Sequence, residues 1–327
     1  MKIAFLTPEF PHPKIGATGG IGTSISNLAA GLAKGGHAVS ILVYGQSDDE
    51  VFEDSGLTFY RIKNIKFKGL SWYLTRKKIE KLLNKLHREN KVDVAEAPDW
   101  VGISSFINAN CPLVVRLHGS DTYFCHLDNR PVNWSSRFHE KRALKKADAL
   151  LSVSRYTADV TNELFGLNRN FTVIPNGVDT EKFQPTDVAQ SNDILYFGTL
   201  IRKKGLLELP HIFNEVHKSN PSAKLLLVGR DAPDIISGNP STWEMMKPLF
   251  SADAFANVSY LGGVPYDEIR KHIESAAVCV FPTFAEALPV SWIEAMAMRK
   301  PLVASNIGWA SEVIEDGKSG FLEHPKN

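Results

Sequence analysis

Short apolar runs alternate along this chain with segments in which apolar residues recur every three to four positions. The first pattern is typical of buried strands and the second of amphipathic helices. In the first half, the strand-like runs are residues 3–7, 37–44, 93–96, 113–117, 149–154 and 171–175. In the second half, they are residues 194–198, 225–229, 260–262, 278–281 and 302–305. Strands that alternate with helices predict an α/β protein built from doubly wound sheets.

A polar segment divides this pattern into two halves. Asn176 and Gly177 form a turn signal, and residues 184–192 are polar without periodicity. The chain has 327 residues, which is long for one hydrophobic core and sufficient for two domains. We therefore expect one domain over residues 1–180, a linker near residues 176–192 and a second domain over residues 190–327.

Residues 281–298 join a predicted strand to a predicted helix through a short loop. The apolar spacing changes from a continuous run that ends at Phe281 to helical spacing from Val290 onward. Pro289 suits the first helical position, but the alanine and leucine before it offer no side-chain cap. A bound anion would satisfy the free N–H groups near Val290, and the helix dipole would favour it.

Two carboxylates flank this helix start. Glu286 precedes the predicted helix, and Glu294 follows eight residues later, more than one helical turn inside it. This separation predicts contacts with different parts of one elongated ligand rather than a close acid–base pair. On spacing alone, Glu286 could equally complement the helix dipole while Glu294 is a solvated surface residue.

A glycine-rich loop precedes the first predicted helix. Gly20 and Gly22 lie a dozen residues after the first strand, and Ile25 stands where a dinucleotide-binding fingerprint needs its third glycine. A nicotinamide-dependent oxidoreductase is therefore disfavoured. A tight turn capped by Thr23 or Ser24 would also explain these glycines.

Charged groups follow two other predicted strands. His118 and Asp121 come directly after residues 113–117, at the strand end where open α/β sheets bind ligands, although a lone histidine is often structural. The cationic segment 202–204 precedes a predicted helix. Cations are unfavourable at a helix start unless an anion such as a diphosphate binds there, so a diphosphate site and a chance basic loop are the two interpretations.

The spacing Glu286, seven residues, Glu294 and then Ala-Met-Ala after an apolar strand resembles the retaining GT-B glycosyltransferases of family 4. Residues 173–179 are similar to the hinge segment of the same enzymes, and the resemblance extends from the first strand to Leu322. It implies two Rossmann-like domains facing a cleft. Because such enzymes usually continue through further helices, we expect the C-terminal end to be truncated.

The resemblance also implies roles for individual residues. Glu286 would contact the transferred sugar, His118 would reach toward it with Asp121 in support, and Glu294 would hold the ribose hydroxyls of the donor. The remaining residues would contact the donor diphosphate, and they are Gly20, Gly22, Gly198, Arg202, Lys204 and Val290. No metal is expected.

This chain departs from the family pattern at two places. The loop after Glu286 reads alanine and leucine where the family usually has glycines, which restricts the backbone there. Thr199 stands where the family often has an arginine that contacts the diphosphate. We therefore assign the role of that family arginine to Arg202.

Bulk composition narrows the class of protein. Apolar residues make up 43% of the chain and charged residues 22%, and the net charge of +1 argues against a protein built mainly for nucleic acid. Three cysteines show no metal-type or redox spacing and are expected to be reduced thiols. Without a signal peptide pattern or a membrane-spanning apolar run, the sequence predicts a cytoplasmic protein.

Residues 61–91 are markedly basic and carry leucines at roughly helical spacing. An amphipathic helix with a solvated outer face is the ordinary interpretation, and peripheral contact with the inner membrane surface is the alternative.

Together these features predict an enzyme of polysaccharide biosynthesis that moves a sugar, with retention, from a nucleoside diphosphate sugar to a glycan or lipid-linked acceptor. No cofactor beyond the donor is expected. A non-catalytic nucleotide-sugar-binding protein and a sugar-nucleotide epimerase or phosphorylase of the same fold are the alternatives.

Overall fold

The computed structural model describes residues 1–16, 19–185 and 191–326. These residues form two compact α/β units that divide between Gly177 and Val178, at the turn signal in the sequence. Each unit is Rossmann-like and contains a mainly parallel sheet. Residues 186–190 of the expected linker lie outside the described residues.

The first unit contains eight strands in one sheet. Its elements, in chain order, are β1 (Lys2–Thr7), α1 (Gly20–Lys34), β2 (Ala38–Gln46), β3 (Glu50–Asp54), β4 (Leu57–Lys63), α2 (Ser71–Arg88), β5 (Val94–Pro98), β6 (Leu113–Leu117), α3 (Asp121–Leu127), α4 (Trp134–Lys146), β7 (Ala149–Ser152), α5 (Arg155–Phe165) and β8 (Thr172–Val173). The strand order is β3-β4-β2-β1-β5-β6-β7-β8. Every neighbouring pair is parallel except β3 and β4.

Helices cover both faces of this sheet because the central strands are apolar on both sides. Alternate residues of β1 point to opposite faces. Phe5 belongs to the apolar cluster that contains Ile25 of α1, and Leu6 belongs to the cluster that contains Leu83 of α2. The continuous apolar run of β1 therefore reflects a strand buried on both sides.

The second unit contains six parallel strands in the order β11-β10-β9-β12-β13-β14. Its elements are β9 (Asp193–Phe197), α6 (Leu209–Ser219), β10 (Lys224–Val228), α7 (Thr242–Met246), α8 (Ala252–Phe255), β11 (Val258–Tyr260), α9 (Tyr266–Ser275), β12 (Val278–Phe281), α10 (Val290–Ala297), β13 (Leu302–Ser305) and β14 (Phe321–Glu323). The central strands β9 and β12 are neighbours, so the loops that follow them lie side by side.

Strongly periodic segments were predicted well, whereas short or polar elements were missed. The predicted strands 113–117, 278–281 and 302–305 and the helix 266–275 coincide with β6, β12, β13 and α9. The predictions omitted β3, β4, α3, α4, α7, α8 and β14, and β4 is the exception among them, since it has seven residues and is mostly buried. β3 is an edge strand with mostly exposed side chains, and α4 is rich in charged residues, so neither shows a clear apolar period.

The amphipathic helix expected within residues 61–91 is confirmed as α2, whose apolar face includes the buried Ile79, Leu83 and Leu86, but it covers only part of that stretch. Arg61 and Lys63 belong to β4, and α2 begins only at Ser71. Arg76 is buried and donates hydrogen bonds to main-chain carbonyls, including that of Ile103. None of the helices formed by the described residues is long and apolar enough to span a membrane.

Candidate active site

The loops after β9 and β12 build a cluster of charged and polar side chains at one edge of the second sheet. The carbonyl of Lys203 accepts hydrogen bonds from the N–H of Phe284 at 2.8 Å, the N–H of Ala285 at 3.2 Å and the hydroxyl of Thr283 at 3.2 Å. Gly205 has a φ of +74°, and a Cβ there would lie 1.8 Å from the carbonyl oxygen of Pro282. The two loops are thus held together by their backbones, with glycine required at the point of contact.

An ion pair joins the side chains of these two loops. The ammonium of Lys204 lies 2.9 Å from Oε1 of Glu286, and both side chains are mostly buried. Gly198 lies beside them, since a Cβ there would be 3.5 Å from the Lys204 nitrogen. The structure therefore brings together three of the residues predicted from sequence.

The backbone of Glu286 is fixed from the opposite side. The indole N–H of Trp309 donates to the Glu286 carbonyl at 2.7 Å, and the Trp309 ring packs against Trp292 of α10 with centroids 4.6 Å apart. Both indoles are fully buried. This aromatic pair sets the direction in which the Glu286 side chain leaves its loop.

A small cavity opens beside the ion pair. It has a volume of about 10 Å³, close to what one water molecule needs. Its lining includes Tyr196, Lys204, Thr283, Glu286, Ser291 and Trp292. The hydroxyl of Tyr196 donates to the carbonyl of Thr199 at 3.0 Å, and burial raises its pKa well above the usual value, so this group stays protonated. The cavity offers hydroxyl, ammonium and carboxylate groups within a largely apolar wall.

Glu294 is buried inside the unit and is not the solvated surface residue of the alternative interpretation. Its side chain is 3% exposed, and the hydroxyl of Tyr266 on α9 donates to its carboxylate. Burial raises the pKa of Glu294 to about 7, while the Tyr266 hydrogen bond and the charges of Lys182 and Lys204 act in the opposite direction. Glu294 therefore changes its charge near neutral pH, and its ionised form depends on these three neighbours.

The helix α10 begins near this cluster without a side-chain cap. Pro289 is its N-cap residue, with φ −71° and ψ 132°, rather than its first helical residue as predicted. The absence of a capping side chain was predicted from the apolar loop and is confirmed. Val290 is buried at the first helical position, so the predicted anion-binding amides lie at the base of the cluster.

The cationic segment 202–204 precedes a helix as predicted, but the helix does not begin directly after it. These residues form a short 3₁₀ turn that ends at Gly205, and α6 begins only at Leu209. The guanidinium of Arg202 makes two hydrogen bonds of 2.8 Å to Asp234, whose side chain is 2% exposed. The Arg202 hydrogen bonds hold the pKa of Asp234 well below its usual range. Arg202 thus has a buried carboxylate partner 32 residues away, and no sequence pattern indicated this pairing.

In the first unit, His118 follows β6 as predicted. The main-chain N–H of His118 donates to Oδ1 of Asp99 at 2.9 Å, and Asp99 is 1% exposed. Burial, with Arg116 as a second cause, lowers the pKa of His118 to about 3, so the imidazole is neutral at physiological pH. Burial raises the pKa of Asp99 to about 7.

Asp121 begins α3, next to a second buried carboxylate. Glu140 of α4 is fully buried and accepts hydrogen bonds from the N–H of Asp121 at 2.9 Å and from the N–H and hydroxyl of Thr122. Burial raises the pKa of Glu140 to about 7. Asp99 and Glu140 thereby fix the backbone on both sides of the loop that carries His118.

The carboxylate of Glu9 contacts the glycines at the start of α1. The N–H of Gly22 donates to Oε1 of Glu9 at 3.0 Å, and a Cβ on Gly19 would lie 3.1 Å from the same atom. Gly20 and Gly22 belong to the first turn of α1, whose N-cap is Gly19. The alternative that Thr23 or Ser24 caps this helix is wrong, since both lie inside it and no side-chain cap forms.

Several groups that organise the site were not predicted from sequence. They are Glu9, Asp99, Glu140, Asp234 and Tyr266. Each is distant in sequence from the group it contacts, and carboxylates and tyrosines of this kind occur throughout the chain. Within residues 1–16, 19–185 and 191–326, no group of three histidine, cysteine or acidic side chains is arranged to hold a metal ion.

Comparison with known proteins identifies the family of this chain. Residues 18–182 match Glycosyltransferase Family 4, and residues 178–327 match Glycosyl transferases group 1. A GDP-mannose-dependent phosphatidylinositol monomannoside mannosyltransferase of Mycobacterium tuberculosis is 22% identical over 98% of this chain and 84% of its own length.

Solved structures show the same fold. Sucrose-phosphate synthase from Thermosynechococcus elongatus has a TM-score of 0.78 and 19% identity, covering all of this chain and 87% of that protein. Anabaena HepE in complex with UDP and glucose has a TM-score of 0.71 and 20% identity, covering all of this chain and 86% of its own. The chain therefore belongs to the family 4 glycosyltransferases and has the GT-B fold.

Proposed function

We propose that this protein transfers a sugar from a nucleoside diphosphate sugar to a glycan or lipid-linked acceptor, with retention at the anomeric carbon. In this proposal, the domain of residues 190–327 binds the donor and the domain of residues 1–180 serves the acceptor. The Lys204–Glu286 ion pair, placed between the ends of β9 and β12 and close to the buried Glu294, is the observation that carries the proposal.

Lys204 would stabilise the departing diphosphate. An ammonium has three donors, so Lys204 can remain on Glu286 and still contact a phosphate oxygen. Negative charge that develops on the leaving group gains most from a cation that is already held in place. The N–H groups at the start of α10, including that of Val290, and the open backbone at Gly198 would contribute further contacts to the same anion.

Glu286 would position the transferred sugar. Its carboxylate is fixed by Lys204 and its carbonyl by Trp309, so it presents acceptor oxygens to sugar hydroxyls in one orientation. Glu294 would hold the ribose hydroxyls, since a carboxylate buried to this extent is a strong acceptor when ionised. The bound UDP and glucose of the related HepE structure support a donor of this class.

In the proposed reaction, the bond between the anomeric carbon and the diphosphate oxygen breaks, and a bond from the acceptor oxygen forms on the same face. The acceptor proton passes to an oxygen of the departing phosphate. His118 is neutral and would hydrogen-bond the transferred sugar, with its loop held by Asp99 and Glu140. Asp121 remains a predicted support residue for His118, Gly20 and Gly22 remain predicted contacts of the donor diphosphate, and no step requires a metal.

The nature of the acceptor is suggested by the relatives. The mycobacterial mannosyltransferase acts, by its name, on a phosphatidylinositol glycolipid. By their names, the sucrose-phosphate synthase of Thermosynechococcus elongatus and a glycogen synthase of Mycobacterium tuberculosis form saccharides. Both acceptor classes are therefore included in the proposal.

A donor screen tests this function. UDP-, GDP- and ADP-sugars are compared for thermal stabilisation of the protein and then for release of the nucleoside diphosphate with saccharide and lipid acceptors. NMR of the product gives the anomeric configuration. Binding of a nucleotide sugar without turnover would favour a non-catalytic binder, and an inverted product would overturn retention.

A further inference from the structure

The first unit exposes several large apolar side chains on two neighbouring segments. Trp134 is 78% exposed, Phe67 57%, Phe138 48%, Leu70 47% and Trp72 42%. Isolated surface apolar residues are ordinary, but monomeric proteins rarely expose a connected group of this size unless the group binds something.

Ring contacts connect Trp72, Phe106 and Phe138, and the other exposed side chains adjoin these three along the chain. The Trp72 ring lies 5.3 Å from Phe106 between centroids, and Phe106 lies 6.3 Å from Phe138. Trp134 precedes Phe138 by four residues on α4, so both lie on the same helix face. Phe67 and Leu70 form the turn directly before α2, whose second residue is Trp72. We call these six residues, Phe67, Leu70, Trp72, Phe106, Trp134 and Phe138, the aromatic patch.

The segments that carry the aromatic patch are strongly cationic. Residues 62–79 contain six lysines and arginines and no acidic residue, and residues 131–147 contain five and one glutamate. That glutamate is Glu140, which is fully buried and faces α3. No acidic side chain of these two segments therefore reaches the surface. Within residues 62–79, however, Arg76 is buried, Lys77 pairs with Glu80 and Lys78 pairs with Asp49, so the positive charge next to the patch comes mainly from Lys66, Lys68 and the lysines of α4.

Arginines and lysines have different roles in this surface. Arg142 donates to the carbonyl of Ser105, and its guanidinium lies 4.3 Å from the centroid of the Phe106 ring, so it supports the patch from beneath. By contrast, Lys66 and Lys68 are exposed next to Phe67, and neither forms an ion pair with any described residue. Arg142 therefore holds the Phe106 ring in place, whereas Lys66 and Lys68 are available for contact with a partner.

We propose that the aromatic patch docks on the surface of a membrane that contains anionic phospholipid. Tryptophan and phenylalanine side chains favour the interfacial region, where an apolar ring meets polar headgroups. Lysines near the surface add attraction to anionic headgroups. A neutral glycan would use exposed rings but not the surrounding cations, and an acidic protein would not require five exposed apolar side chains.

This surface differs from the membrane contact predicted for residues 61–91. Cations in the C-terminal half of that segment are paired with acidic side chains, as Lys78 with Asp49 and Lys91 with Glu89 show. The proposed surface uses only the turn before α2 and its first residues, and adds α4, which lies far away in sequence. Docking on a membrane is independent of sugar transfer.

Vesicle flotation without any nucleotide tests the proposal. The full chain is mixed with vesicles of phosphatidylcholine alone or of phosphatidylcholine with phosphatidylglycerol. We expect binding only to the anionic vesicles and progressive release by salt. Replacing Lys66 and Lys68 by glutamine should weaken partitioning about 30-fold, taking about 1 kcal/mol per lysine. The paired change of Lys218 and Lys318, exposed lysines of the second unit, removes the same charge and should leave binding unchanged.

The apolar contribution is tested separately. Trp134→Ser should weaken binding roughly tenfold or more, because a tryptophan ring carries a large apolar area. Val51→Ser is the matched control, since Val51 is 63% exposed on β3 between acidic residues. Circular dichroism of each variant excludes misfolding. Equal binding to neutral and anionic vesicles, no effect of either patch variant, or binding to a soluble glucan in place of vesicles would each overturn the proposal.

Discussion

Two cations of the short turn at residues 202–204 each form an ion pair with a carboxylate, and the two pairs differ in geometry and surroundings. Arg202 meets Asp234 through two parallel hydrogen bonds of 2.8 Å, and Asp234 also accepts from the N–H of Ser237 at 2.9 Å. Lys204 meets Glu286 through a single contact of 2.9 Å beside a small cavity. The first pair is saturated, whereas the Lys204 ammonium has more donors than its contact with Glu286 uses.

This difference separates a structural ion pair from a candidate catalytic one. A planar guanidinium that is bidentate to a buried carboxylate fixes the geometry of a loop. An ammonium is a point charge with three rotatable donors and can accept a second anion without leaving the first. Sequence reasoning favoured Arg202 and Lys204 equally as diphosphate ligands, and the geometry favours Lys204.

The largest expected effect follows from removing the Lys204 charge. In Lys204→Ala, kcat should fall about 10²–10³-fold, the magnitude associated with losing one preorganised group that stabilises a leaving anion. Steady-state kinetics with the donor identified by the screen gives this value. Lys218→Ala is the control, because Lys218 is an exposed lysine of the same unit that lies outside this cluster. A kcat for Lys204→Ala within threefold of wild type would remove Lys204 from the chemistry.

Arg202→Ala should instead affect stability. It leaves the buried Asp234 carboxylate without its guanidinium, and we expect a loss of about 2 kcal/mol, reduced because Arg202 is itself 34% exposed. Urea unfolding measures the change. The double variant Arg202→Ala/Asp234→Asn should recover part of it. If Arg202→Ala instead lowers kcat as much as Lys204→Ala at unchanged stability, the two pairs have been assigned in the wrong order.

The Arg202–Asp234 pair also predicts a pH dependence of stability. Because the folded pKa of Asp234 lies below its unfolded value, its contribution is present above the unfolded pKa near 3.8 and is lost as pH falls through the folded pKa. The difference in unfolding free energy between wild type and Asp234→Asn should therefore shrink in acid. A difference that stays constant from pH 6 to pH 2 would contradict this.

Glu294→Ala should mainly weaken nucleotide binding, by about tenfold, while Glu286→Ala should mainly slow turnover. In the proposed function, the two carboxylates contact different parts of the donor. Calorimetric titration with nucleoside diphosphates, together with kcat for both variants, separates the two effects. Equal and negligible effects of both substitutions would overturn the assignment.

The smallest expected effect is a shift in the pH profile of nucleotide binding. Glu294 has a pKa of about 7, so affinity should fall as pH drops below 7. Tyr266→Phe removes a donor that favours the ionised form, so this fall should begin at a higher pH, with a few-fold loss near pH 6.5 and convergence in alkali. Tyr73→Phe, a tyrosine of the first unit, is the control. An unchanged profile in Tyr266→Phe would show that the hydroxyl does not set the charge of Glu294.

The sequence by itself determined the class of fold and the local frame of the site. Apolar periodicity is a property of neighbouring residues, so β6, β12, β13 and α9 were predicted with correct bounds. The uncapped start of α10 and the position of Glu286 in the loop before it follow from the same short stretch of chain. The expectation of two α/β units also follows, because two stretches of alternating strands and helices need two cores.

Only the tertiary structure decided which charges meet and which side chains face solvent. Asp234 lies 32 residues from Arg202, and the Lys203 carbonyl holds a loop 80 residues away. Ion pairing and burial depend on the distances between elements after packing. Apolar periodicity indicates local secondary structure and gives no information on those distances. The exposure of Trp134 and the burial of Glu294 depend in the same way on how the helices pack against their sheets.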